Sequence, residues 1–202
     1  MNVFPIFPSV VSASILDKRI NKYHAALKSE EFTTENSGYD TKNSFSSVSK
    51  NILKKYPEVE QIILQEFYKF KNEVLKYTST DFKMTTSWMT KTDRGGFCQF
   101  HYHRNCYYSG VMYFDDCPSG DLVFKSNLNQ SSIRINMPDE WNMLNYQSFF
   151  MKPMKNMVVF FPSYLEHKID LYTDEPTRYS LAFNFHPVGK IGDGDSYIEI
   201  KL

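Results

Sequence analysis

Apolar positions in the first third of the chain recur at three- and four-residue spacing, and from Phe82 onward they alternate instead. Ser12 or Ser14 can cap a first helix whose apolar positions, Ile15, Leu16, Ile20, Tyr23 and Leu27, fall on one stripe. Residues 31 to 48 are dominated by Ser, Thr, Asn and Gly and read as a long loop. A second helix is predicted from Pro57, a favoured first-turn residue, with Glu58 and Glu60 near its positive end. Its apolar face, Val59, Ile62, Ile63, Phe67, Phe70 and Val74, runs to about Tyr77 and suits packing on a sheet.

Beyond Phe82 come short aromatic and β-branched segments: FKMTTSWMT, FCQFHYH, YYSGVMYF, DLVF, IRI, MVVFF and RYSLAFNF. Gly95-Gly96, Pro118-Ser119-Gly120 and Asp174-Glu175-Pro176 are the expected turns between them. Residues 126 to 147 show no clear period and read as a long connection or a lid. Many short strands without intervening helices indicate an antiparallel sandwich, barrel or jelly roll. The 202 residues suit one domain, with 1 to 80 as a helical flank and 82 to 202 as a β core.

Composition narrows the function classes. Lys plus Arg and Asp plus Glu are equal at 23 each, so no overall field favours nucleic acid or an anionic membrane. No apolar run reaches the roughly 18 residues that span a bilayer. The start, MNVFPIFPSVV, lacks the basic and apolar regions of a secretory signal. Three cysteines, an odd number, argue against a disulfide framework and for a reducing compartment, so a cytoplasmic setting is expected.

The chemistry concentrates in the histidines. His101 and His103 lie one residue apart in a strand-like segment, and alternation sends both to one face. Two imidazoles so placed can occupy adjacent positions on one metal ion, although such a pair alone also serves as polar surface or a hydrogen-bonding group. His167, just beyond the strand MVVFF and Pro162, can supply a third ligand at a sheet rim. His24 and His186 read as structural. Alternation also puts Arg178, Ser180, Ala182 and Asn184 on one face, opposite Tyr179, Leu181, Phe183 and Phe185. An inward Arg178 with Ser180 two residues on makes a carboxylate clamp, since guanidinium offers a bidentate fork.

The ordered series Trp88, His101-x-His103, SGVMYF, VVFFPSYLEH and Arg178-x-Ser180 resembles the 2-oxoglutarate and iron(II)-dependent oxygenase superfamily. More narrowly it resembles oxygenases of bacteria and tailed phages that carry an H-x-H, S-G-V-x-Y and F-P-x-x-x-x-H series. The resemblance covers roughly residues 84 to 186 and implies a mainly β double-stranded β-helix (a cupin-like jelly roll) with the N-terminal helices as flank. It further implies iron(II) on His101 and His167, and 2-oxoglutarate gripped by Arg178 and Ser180 with help from Tyr113. The substrate stays open, though Tyr107, Trp141 and Tyr164 would suit a peptide or a planar group near the mouth.

The superfamily usually places a carboxylate where this chain has His103, which leaves a three-imidazole site one unit more positive. Asp115, Asp116, Asp121 or Glu166 could supply a carboxylate instead, but none has the expected spacing, so His103 is retained as second ligand. Three other readings compete. A cupin without 2-oxoglutarate fits Gly95 and the His pair but leaves Arg178 without a role. A zinc cluster of Cys98, His101, His103 and Cys106 requires cysteines that alternation points away from the histidines. A non-catalytic jelly-roll interaction protein needs no metal at all.

Overall fold

The computed structural model describes every residue except 5, 7, 37–40, 127–135 and 143. In chain order it contains β1 (Ser12–Ile15), a 3-10 turn (Lys18–Tyr23), α1 (His24–Lys28), β2 (Thr41–Ser46) and α2 (Pro57–Lys69). There follow β3 (Asp81–His101), β4 (Tyr108–Tyr113), β5 (Leu122–Lys125), β6 (Ser148–Met151), β7 (Met157–Pro162), β8 (His167–Tyr172), β9 (Arg178–Ile191) and β10 (Ile198–Ile200). Their antiparallel pairings run β1-β7-β4-β9-β3-β8-β5-β6, with β2 on β3 and β10 on β9. The fold is mainly β, a curled antiparallel sheet of the jelly-roll type.

The curl depends on β3. Its first half, Asp81 to Thr92, pairs with β9, and its end, Gly96 to His101, pairs with β8. Gly95-Gly96, expected as a turn, is instead a bend inside this one long strand. Gly95 has φ +79°, which favours glycine, and a Cβ on Gly96 would lie 2.7 Å from the Asn43 carbonyl.

Two expectations for the N-terminal third are overturned. Ser12 to Ile15 forms not a helix but β1, because the open edge of β7 offers it a ladder: Ser12 pairs with Phe160 and Ile15 with Met157. Helical turns begin only after Asp17, whose side chain accepts from Arg19 N at 2.8 Å. Within 31 to 48, read as loop, Thr41 to Ser46 is β2, paired with β3 from Thr90 to Cys98. Its sequence, TKNSFS, resembles a loop because Thr41, Ser44 and Ser46 line a cavity and not an apolar core. The segment IRI lies outside the described residues, as does part of the 126 to 147 connection.

Helix α2 starts at Pro57 as expected, with Glu58 bound to Lys22 (2.8 Å) and Tyr23 (2.7 Å). It ends in a single π turn (Phe70–Val74), so Phe70 is buried while Val74 is exposed. Its buried stripe, Val59, Ile62, Ile63 and Phe67, covers the outer face of the sheet, on Tyr108, Met112, Phe160, Leu181, Phe183 and Phe185. Phe67 lies flat on Phe185, with ring centroids 4.0 Å apart and planes 7° from parallel. A smaller apolar cluster, including Val111, Tyr113, Phe124, Val159 and Phe161, fills part of the inner face. Among the described residues, no helix is long and apolar enough to cross a membrane.

Phe67→Ala removes the ring that joins α2 to four strands. It should cost about 3–5 kcal/mol, the usual range for deleting a fully buried phenylalanine. Urea denaturation followed by far-UV circular dichroism measures this; a loss under about 1 kcal/mol would mean that α2 does not stabilise the sheet.

Candidate metal and carboxylate site

The inner face of the curl encloses a cavity of about 560 Å³. Its wall carries His101, His103 and His167, and also Arg178 and Ser180, so one space holds both groups singled out in the sequence. His101 at the end of β3 is the register partner of His167 at the start of β8. His103 lies beyond the strand, not within it as expected. Its backbone N–H donates to the Ser163 carbonyl at 3.0 Å, tying it to the turn that leads into His167.

Ring centroids are separated by 4.4 Å for His101 and His167, 5.1 Å for His103 and His167, and 5.3 Å for His101 and His103. One ligand nitrogen from each lies within 4.8 Å of the others, a span little larger than a coordination sphere with bonds of ~2.1 Å. Two backbone carbonyls set the tautomers. Nδ1 of His101 donates to Gln99 O, and Nδ1 of His167 to Leu165 O, each at 2.9 Å. A carbonyl can only accept, so these Nδ1 atoms carry the hydrogens and both Nε2 lone pairs are left for a ligand. Burial, reinforced by His101, holds His103 down at about 4. Burial, again with His101, holds His167 down at about 3. Both rings are therefore neutral near pH 7, the form that binds metal.

Arg178, at the head of β9, is 2% exposed, and its Nε and Nη2 have no hydrogen-bond acceptor among the described residues. The guanidinium lies 5.0 Å from the centre of the Tyr113 ring. The Tyr113 hydroxyl is also buried without a hydrogen-bond partner among the described residues, and burial pushes its pKa up to about 12. Tyr113 thus sits against Arg178, while Ser180 stands at the cavity wall. A buried cation with two unsatisfied N–H groups requires an anion, and a carboxylate matches the fork.

The S-G-V series has a structural explanation. Ser109 donates to Asn184 Oδ1 (2.8 Å), and Asn184 donates to Thr86 Oγ1 (3.1 Å), a polar chain that joins three strands. Gly110 leaves room for the Phe183 ring, since a Cβ there would lie 2.3 Å from it.

The remaining sequence candidates lie elsewhere. Asp115 binds Lys28 (2.6 Å), Glu166 binds Lys125 (2.7 Å), Asp116 accepts from the Lys155 backbone (2.8 Å), and Asp121 does not line the cavity. His24 packs edge-on to Phe114, and His186 Nδ1 donates to the Pro187 carbonyl at 2.7 Å. Cys98, expected to face outward, lines the cavity because the strand is irregular there, with Sγ 3.5 Å from His101 Nδ1. Among the described residues neither Cys98 nor Cys106 joins the group of metal-capable atoms, which removes the zinc cluster. Tyr107, Trp141 and Tyr164 are exposed and do not line the cavity. Trp88, Lys50 and the hydroxyls of β2 do line it, and the sequence reading had given them no role. Alternation from Ser180 back across β3 would have found Trp88, but nothing local marks Lys50.

Residues 86–184 match the family model described as "Putative 2OG-Fe(II) oxygenase". Over these residues the β core is similar to the 2OG-Fe(II) oxygenase family. No curated protein matches the chain in sequence. Among solved structures, a 2OG-Fe(II) oxygenase family protein from Burkholderia pseudomallei aligns at TM-score 0.59 and 11% identity, over 83% of this chain and 78% of that one. HygX from Streptomyces hygroscopicus, solved with nickel, 2-oxoglutarate and hygromycin B bound, aligns at 0.63 and 9%, over 89% and 83%. A Pseudomonas putida prolyl-4-hydroxylase aligns at 0.56 and 16%, over 88% and 92%. At such identities the three establish a shared jelly-roll fold.

The depressed histidines make a pH prediction for the metal-free protein. An unfolded imidazole titrates near 6.5, above the folded values, so below pH 6.5 the unfolded state binds more protons. Stability should fall as pH drops from 6.5 toward about 4, with a limiting slope of about 1.4 kcal/mol per pH unit for each ring. Urea titrations at pH 7.5, 5.5 and 4.5 should show this, and His103→Gln with His167→Gln should flatten the slope. An equally steep slope in the double variant would assign the effect to other groups.

Proposed function

We propose that the chain is an iron(II) and 2-oxoglutarate-dependent oxygenase in which His101, His103 and His167 hold the metal while Arg178 and Ser180 hold the cosubstrate. The observation that carries this reading is the pairing, in one cavity, of three clustered imidazoles with a buried guanidinium that lacks an acceptor among the described residues. When bound, iron(II) with 2-oxoglutarate and oxygen supplies the power to hydroxylate a C–H bond while the cosubstrate becomes succinate and carbon dioxide. The residues contribute position and surroundings. The carbonyls of Gln99 and Leu165 aim two imidazoles, and the His103 backbone bond to Ser163 fixes the third. Arg178 would take the distal carboxylate through its fork, with Ser180 as a further donor and Tyr113 bracing the guanidinium. The apolar cluster at Val111 and Phe161 screens the site from water and strengthens that contact.

The alternative of a cupin without 2-oxoglutarate leaves the Arg178 donors unexplained. A reducing cytoplasmic location fits the three free cysteines, and kinship with phage oxygenases rests on the motif series alone. The substrate in this reading is a small molecule or a peptide side chain, with no role for nucleic acid or membrane.

Anaerobic titration calorimetry with manganese(II) in place of iron tests the assignment. The wild type should bind 2-oxoglutarate only with metal present. Arg178→Ala should weaken that binding well over tenfold, since losing a buried charge-assisted contact typically costs about 2–5 kcal/mol, and should leave metal content intact. His167→Ala should abolish most of the metal-dependent rise in melting temperature while still folding. Absence of 2-oxoglutarate binding by the wild type would return the choice to the cupin.

A further inference from the structure

The charges around the cavity do not balance. Among the described residues its wall contains no aspartate or glutamate, yet it contains two cations, Arg178 and Lys50. The usual carboxylate ligand is replaced by His103, so a divalent ion would add its full charge. A 2-oxoglutarate dianion offsets two units, and the other two remain.

Lys50 is built into the wall. It lies just after β2, solvent-exposed while lining the cavity, which places it at the mouth. Its ammonium donates to Ser46 Oγ and to the Ser47 carbonyl (2.7 Å), both neutral. It forms no ion pair with any described carboxylate. Partial burial presses its pKa below the ordinary lysine value, so an incoming anion would relieve it. The Lys50 carbonyl accepts from Ser87 N at 2.8 Å, which sets Lys50 beside Trp88. The Trp88 ring lies 5.6 Å from that of His103. Lys50, Trp88 and the histidines therefore follow one another from the mouth inward.

We propose that Lys50 is the recognition group for an anionic substrate, a molecule that carries a carboxylate or phosphate ester on a planar or cyclic body. The anionic group pairs with the Lys50 ammonium, the body lies along Trp88, and a C–H bond beyond it reaches the metal. This rests on the oxygenase reading, because Arg178 must already be occupied by the cosubstrate for Lys50 to be the free cation.

The test uses full-length protein with manganese(II) and saturating 2-oxoglutarate, without oxygen. Phenyl phosphate and benzoate serve as anionic probes, and benzamide as a neutral counterpart, titrated by calorimetry. Wild type should bind at least one anionic probe at least tenfold more tightly than benzamide. Lys50→Met should remove that preference, and Lys50→Arg should restore it, with melting temperature and 2-oxoglutarate affinity the same in all three. Retention of the preference by Lys50→Met, or no preference in the wild type, overturns the proposal while leaving the oxygenase reading intact. Failure of the wild type to bind 2-oxoglutarate is a separate result, which counts against the oxygenase reading itself.

Discussion

Phe67 lying on Phe185 represents the contact on which the architecture depends: an apolar helix face against the outer side of the curled sheet. A sheet must bury one face to be stable, and here the outer face does so beneath α1, α2 and the turns around them. Tyr108, Met112, Phe160, Leu181, Phe183 and Phe185 all point that way. The inner face is then free to carry polar side chains and an open cavity, which would be ruinous in a chain with a single core. The helical flank is thus the condition under which the site can exist.

Inside, the electrostatic design is one of withheld partners. His103 and His167 are kept neutral by burial, backbone carbonyls turn His101 and His167, and among the described residues the cavity wall holds no acid. The buried guanidinium of Arg178 keeps two donors unmet. In a site that had only to be stable, an aspartate beside Arg178 would satisfy it. Leaving these groups unsatisfied destabilises the empty protein and favours ligands that complete them, as linkage requires. The three histidines come together without a carboxylate among the described residues of the cavity wall.

The sequence by itself determined those features that depend on period and chemical type. Alternation along RYSLAFNF sorted Arg178 and Ser180 from Leu181, Phe183 and Phe185, because successive side chains of a strand must point opposite ways. The stripe from Val59 to Phe67 marked α2, and the spaced histidines marked a metal-capable set that the fold does bring together. Tertiary structure alone decided the rest. Ser12 to Ile15 became a strand because β7 had an edge to fill, a fact absent from its own residues. The polar run TKNSFS became β2 because a cavity, unlike a core, rewards hydroxyls. His103 reached His167 by a loop and one backbone hydrogen bond, where strand alternation had seemed sufficient. Lys50 entered the cavity wall only through pairing with β3, some forty residues further along the chain. Period and composition are local, whereas edges, cavities and long-range pairings exist only once the sheet has curled.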